Sequence, residues 1–304
     1  MEGYYRQASS YRDPGGFLFF VEGELFCQVN KVYKDNYDHL KQSGLYEELV
    51  QSDLLIPHEE ATIRPRNPEQ AYKVLKPTQP DFISYPYEWC FSQFKDASLL
   101  TLEIARKALD FDMLLKAASA NNIQFRNCRP VWIDTLSFEK YQDGQPWGAY
   151  GEFCQHFLAP LALMAYQDVR LNQLLRIYLN GVPLDLAARL LPLRTRVKSG
   201  LLEHIHSHAR NQRRDAGQSD GNDAEPRQMS KDALIGLIDS LESAIQRLSW
   251  NADGKDWIGY TDDATYTQEA IEHKKQLVSE FIEKASPDRV WDIGANFGEY
   301  SRLA

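Results

Sequence analysis

The chain has 304 residues, 43% of them hydrophobic and 25% charged, with a formal net charge of −9. That balance fits one large or two ordinary globular domains and argues against a general nucleic-acid binder. The four cysteines, Cys27, Cys90, Cys128 and Cys154, form no CxxC pair; they read as reduced, buried thiols of a cytoplasmic protein, not as a zinc or disulfide framework.

The N-terminus MEGYYRQASSYRDPGG has no apolar core of a signal peptide, and the most apolar stretch, FLAPLALMAY, is too short to span a membrane. GGFLFFVEGELFCQVNKVY predicts a hairpin turning at Glu22-Gly23-Glu24. Tyr37, Leu40, Leu45, Leu49 and Val50 predict a helix to about Ser52. AYKVLKP and DFISYPYEW read as a strand region broken by Pro77, Pro80 and Pro86, and Cys90 to about Leu115 reads as a helix. IQFRNCRPVWIDTLSF predicts two short strands about the turn Arg126-Asn127-Cys128-Arg129. After Trp147 the chain reads as mainly helical.

Residues 209–230 are polar and nearly free of large apolar side chains, so a mobile linker is expected. A helix capped by Ser230 follows, then another from about Thr267 to Lys284. The expected fold class is therefore an α+β N-terminal domain with a mainly helical second half (1–208), the linker, and a helical lead-in to an α/β Rossmann-like segment (231–304).

That last segment carries the strongest chemical signal, VWDIGANFG. A buried strand would deliver Asp292, Gly294 would let the chain turn sharply, and Gly298 would let backbone approach a ligand. The pattern resembles motif I of class I S-adenosylmethionine (SAM)-dependent methyltransferases. The resemblance implies that Asp292, Gly294, Asn296 and Gly298 contact SAM. The blocks YPYEWCFSQFKDASLLTLEIA, PVWIDTLSFEKY, PWGAYGEFCQHFLAPLALM and RLNQLLRIYLNGVPLDLA resemble the N-terminal region of a bacterial methyltransferase family related to nodulation proteins. This resemblance spans roughly Gly16 to Ser301. It implies methyl transfer to an unspecified acceptor, and a chain that stops soon after its cofactor turn, before the acid that usually holds the ribose. The chain is thus expected to be a fragment, inactive alone.

A third resemblance lies in LLKAASANNIQFRNCRPVWIDTLSFE, which is similar to the catalytic and metal loops of kinase-like phosphotransferases. It implies Mg-nucleotide binding, with Asn122 and Asp134 as the Mg²⁺ ligands. The sequence departs from that pattern at Ala117, where the catalytic Asp would stand, and leaves the phosphate-binding lysine open between Lys31 and Lys73. The alternative to an enzyme is thus a nucleotide-binding module or a structural, partner-binding domain. His204, His206 and His208 are expected on a solvated helix face, with no metal. Glu88, Asp96, Glu139 and His156 are expected to cap and pair, or to line a pocket.

Overall fold

The computed structural model describes residues 4–8, 10, 13–210, 228–251 and 266–304. They form two compact units, Met1–Trp250 and Asn251–Ala304. The 209–230 segment falls largely on residues outside those described.

The first unit opens with a five-stranded antiparallel sheet. Its strands are β1 (Tyr4–Arg6), β2 (Gly16–Val21), β3 (Glu24–Asn30), β4 (His58–Glu60) and β5 (Ala71–Pro77), in the order β1-β2-β3-β5-β4. The β2–β3 hairpin turns at Glu22 (φ 50°) and Gly23 (φ 85°). Positive φ at both central residues matches the right-handed twist of the strands. Between β3 and β4 the chain forms α1 (Lys34–Gln42) and α2 (Leu45–Gln51), separated at Gly44, whose φ of 89° suits only glycine well. The single helix expected to Ser52 is therefore two.

DFISYPYEW forms no strand. Pro86 starts a 3₁₀ turn, Pro86–Glu88, in which Glu88 bonds back to the Tyr85 N–H at 2.7 Å. The long helix α3 (Phe91–Asp110) follows, and ends before Leu115 because Met113–Leu115 is a strand, β6. β6 pairs with β9 (Phe138–Lys140), while β7 (Ile123–Arg126) pairs with β8 (Arg129–Trp132) about Asn127 (φ 51°) and Cys128 (φ 60°). The loops 116–122 and 133–137 thereby lie side by side. The five-stranded sheet joins this region where Trp132 N–H donates to the Leu54 carbonyl and its own carbonyl accepts from Ile56, both at 2.8 Å.

The rest of the unit is helical. α4 (Tyr150–Phe153) runs through a π turn, Cys154–Leu158, into α5 (Ala159–Tyr166). After α6 (Leu184–Leu190) and α7 (Ser199–Leu201), a second π segment, Leu202–Ser207, carries two of the three histidines. The core joins α3 to these helices through fully buried Trp132, Phe94, Phe138, Phe153 and Phe157. α8 (Lys231–Gln246), with Ser230 Oγ capping the Ala233 N–H, packs into this core through Leu234, Ile238, Leu241 and Ile245. Arg106 on α3 pairs with its Asp239. This helix therefore belongs to the first unit, and the unit boundary falls at Trp250.

In the second unit α9 (Gln268–Ala285) is capped by the Thr267 hydroxyl. The residues after it, Val290–Ile293, pair with no strand among the described residues, so the expected first strand of a parallel sheet is not formed. Trp291 (73% exposed) and Ile293 (93%) stand in solvent. A lone strand satisfies none of its ladder hydrogen bonds and buries neither face. No helix among the described residues is long and apolar enough to cross a membrane.

Two glycines test this packing. A Cβ at Gly16 would collide with the Gln28 carbonyl oxygen and the Leu136 side chain, so Gly16→Ala should cost about 1–3 kcal/mol. A Cβ at Gly236 on α8 meets nothing within 4 Å, so Gly236→Ala should add up to about 1 kcal/mol. Urea denaturation of both variants measures the two signs.

Candidate functional site

The adjacent loops of the first unit gather a polar cluster. Asp134 Oδ1 accepts from the Leu136 N–H at 3.0 Å, and Asp134 Oδ2 accepts from Ser137 Oγ at 2.6 Å. Asn122 Nδ2 stands 3.4 Å from the same Ser137 Oγ, and the Asn122 carbonyl accepts from the Ile133 N–H at 2.8 Å. Asn122 and Asp134 are thus brought to one place, bridged by a hydroxyl. Trp132 Nε1 donates to the Asp134 carbonyl at 2.9 Å. Burial raises the Asp134 carboxyl above its ordinary range, opposed by the Ser137 and Leu136 bonds.

Lys116, Asp13 and Tyr33, which the sequence reading did not single out, complete the cluster, with Cys27 beside them. Lys116 Nζ pairs with Asp13 Oδ2 at 3.0 Å and lies 4.8 Å from the centre of the Tyr33 ring. Tyr33 Oη donates to the Phe138 carbonyl at 2.5 Å. Burial, with the Asp134 and Asp13 carboxylates nearby, holds Cys27 as a neutral thiol. Lys116 adjoins Ala117, and that adjacency was the available signal. The lysines weighed from sequence are engaged elsewhere: Lys31 bonds the Glu69 carbonyl, and Lys73 pairs with Glu60 at the surface.

A second feature lies next to this loop. Asn121 lines a pocket of about 280 Å³ with Tyr85, Tyr87, His156, Arg176 and Tyr178. His156 is 3% exposed and burial lowers its pKa to about 4. Of the other residues flagged with it, half-buried Glu139 accepts from Gln145 Nε2 at 2.8 Å, and Asp96 is exposed.

The histidine run corrects the expectation of a solvated face. His204 and His206 are buried on the π segment. His204 joins Tyr150 Oη and Ser240 Oγ, each at 2.9 Å, and His206 Nε2 meets Thr195 Oγ1 at 2.9 Å. A wider helical turn and a covering α8 put adjacent ring positions inside. The thiols are also mixed: Cys154 is buried and its pKa is pushed up to about 12, but Cys90 and Cys128 are exposed. No cluster of three metal-ligating residues occurs among the described residues.

In the second unit Gly294 (φ 80°), Asn296 (φ 49°) and Gly298 (φ 70°) are all left-handed, and Ser301 Oγ donates to Asp292 Oδ2 at 2.6 Å. Lys275 of α9 pairs with Glu299 at 2.7 Å. The four residues flagged from sequence therefore share one exposed turn.

No family model matches the chain. Over 304 residues, 98% of its length, the chain is 31% identical to Nodulation protein NoeA of Rhizobium meliloti (strain 1021), and it spans 63% of that protein's length. The similarity runs through both units and relates the chain, at a coarse level, to that nodulation protein.

Buried His156 and half-buried His58 carry a pH prediction. His58, enclosed among Tyr37, Tyr46 and Thr135 with Lys41, Glu60 and Glu47 around it, also has its pKa lowered to about 4 by burial. Its folded value lies below the ordinary 6.5. The unfolded chain therefore takes up protons first, and the contribution of His58 and His156 is full above about pH 6.5 and is lost as pH falls toward 4. Asp134 and Glu152, both raised, act in the opposite sense. The readout is accordingly a difference: His58→Asn and His156→Gln should each flatten the acid limb of stability against pH, measured by urea midpoints. An unchanged slope would mean the rings are solvated.

Proposed function

We propose that this chain is part of a SAM-dependent methyltransferase, with the Asp292–Gly298 turn as the start of the cofactor cradle. The observation that carries the reading is the succession of left-handed Gly294, Asn296 and Gly298 directly after an acid. Such backbone turns its amides toward a ligand, and a Cβ at Gly294 meets nothing within 4 Å, so the approach is open. In this reading the turn would take the methionine end of SAM, with Asp292 holding the cofactor's polar end. Bound SAM supplies an electrophilic methyl group. The relation to a nodulation protein supports the family reading, and the methyl acceptor stays unassigned. The exposed Trp291 and Ile293 suit a strand meant to lie in a sheet.

In a longer protein that includes this turn and its sheet, Asp292→Ala should weaken SAM binding by roughly 1.5–3 kcal/mol, read by calorimetry. Unchanged affinity would mean that the turn is not the cofactor site.

A second reading rests on one observation, the convergence of Asn122, Ser137 and Asp134 on adjacent loops. It supports a kinase-like module that binds a nucleotide with Mg²⁺. Asn122 and Asp134 would hold the ion, and Lys116 offers a nearby cation. Ala117 supplies no base, so binding without phosphoryl transfer is the form proposed. Mg-ATP should then bind this chain and fail to bind Asp134→Asn. No saturable binding up to about 1 mM would remove the reading.

A further inference from the structure

The pocket at His156 is built differently from the loop cluster beside it. The π turn Cys154–Leu158, an insertion that widens the helix and redirects side chains, frequently at functional sites, contributes His156 to its lining. The backbone of Gly181 closes against this turn: its φ is 88°, and a Cβ there would lie 2.7 Å from the Gln155 carbonyl carbon. The Val182 N–H donates to the Gln155 carbonyl at 2.8 Å. His156 is thus held rigidly. Its ring has no hydrogen-bond partner among the described residues, although it is nine-tenths buried. Its nitrogens are not among the fully buried unpartnered atoms, so they stay accessible to a ligand in the pocket.

The walls are aromatic. Tyr85 and Tyr87 stack with ring centres 5.5 Å apart and planes 1° apart. The segment is pinned by Asn172 Nδ2 and Gln173 Nε2, which donate to the Tyr87 carbonyl at 3.0 and 2.7 Å. At the mouth the Arg176 guanidinium lies 5.5 Å from the Tyr87 ring centre and forms no ion pair among the described residues. Next to it in the chain Ile177 is an exposed apolar side chain, and exposed Leu179 lines the pocket.

These groups select a ligand by elimination. No carboxylate lines the pocket, so a cation would find no counter-charge there and would face the charge of Arg176. A metal ion would find one imidazole. A phosphate, about −2 in charge, would find one guanidinium, whereas a carboxylate would be matched by it. A flat ring would pack on tyrosine and leucine faces, a carboxylate would satisfy Arg176, and a hydroxyl could both donate to and accept from a neutral imidazole.

We propose that this pocket binds a monocyclic aromatic carboxylate bearing a ring hydroxyl, with the carboxylate on Arg176, the ring against Tyr87 and Leu175, and the hydroxyl on His156. Because Asn121 lines the pocket and Asn122 belongs to the neighbouring cluster, such a ligand would sit beside the Asp134 loop. The inference stands independently of both functional readings above.

The test is calorimetry of this chain with 4-hydroxybenzoate, benzoate, 4-hydroxybenzyl alcohol and cyclohexanecarboxylate. Saturable binding of 4-hydroxybenzoate is expected, with each of the other three at least about tenfold weaker. Arg176 is exposed, so Arg176→Gln should fold normally; it should reduce 4-hydroxybenzoate affinity about tenfold and leave the alcohol unchanged. His156→Gln should erase the preference for the hydroxylated ring, and Asn121→Ala, at an exposed position, provides a second lining variant. No saturable binding up to about 10 mM, equal affinity for all four compounds, or wild-type affinity in Arg176→Gln would each overturn the proposal.

Discussion

The half-buried, hydrogen-bonded carboxylate of Asp134 is the constraint around which the first unit is organised. It caps the 3₁₀ turn Thr135–Ser137, and its own carbonyl is held by the Trp132 indole. That geometry sends β9 back to pair with β6, which sets the 116–122 and 133–137 loops side by side. The same residues bring the sheet against the helices: Leu136 packs with Val29, Tyr33 and Leu75, while Trp132 lies in the large helical core. A charge placed there costs desolvation, and its hydrogen bonds must offset that cost. The raised carboxyl pKa marks the remaining imbalance.

This economy bears on function. Both Asp134 oxygens already serve the protein, yet a carboxylate retains further acceptor positions, so a structural clamp and an ion ligand are compatible roles. The two units offer unlike chemistry. The first holds buried side-chain polar groups in rigid loops; the second presents backbone in an exposed left-handed turn, with apolar residues at its approach. A methyltransferase reading assigns the cofactor to the second and leaves the first for acceptor or nucleotide recognition.

Local signals carried well from sequence to structure. Glu22-Gly23 and Asn127-Cys128 turn where two central residues must take positive φ, and Ser230 and Thr267 cap helices through their hydroxyls. These depend on a few neighbouring residues. The misreadings involve distant partners. Met113–Leu115 is apolar enough for a helix end, and becomes a strand because Phe138–Lys140 reaches it. Val290–Ile293 has strand composition without a strand beside it. His204 and His206 look like surface residues until a π segment and Ser240 of α8 enclose them. In the candidate site the kinase-like resemblance pointed to Asn122 and Asp134, and their side chains meet at Ser137 Oγ; their role as ligands is a proposal. Lys116 and Asp13 were not legible in the sequence, because their contact joins residues 103 positions apart.

A double-mutant cycle on Asp134 and Ser137 addresses the organising role of that carboxylate most directly. Asp134→Asn, Ser137→Ala and the double variant would be compared by urea denaturation. If the hydroxyl and carboxylate act as one unit, the two changes couple by about 1 kcal/mol or more, and the double variant costs less than the sum. Additive effects within about 0.3–0.5 kcal/mol would contradict the account.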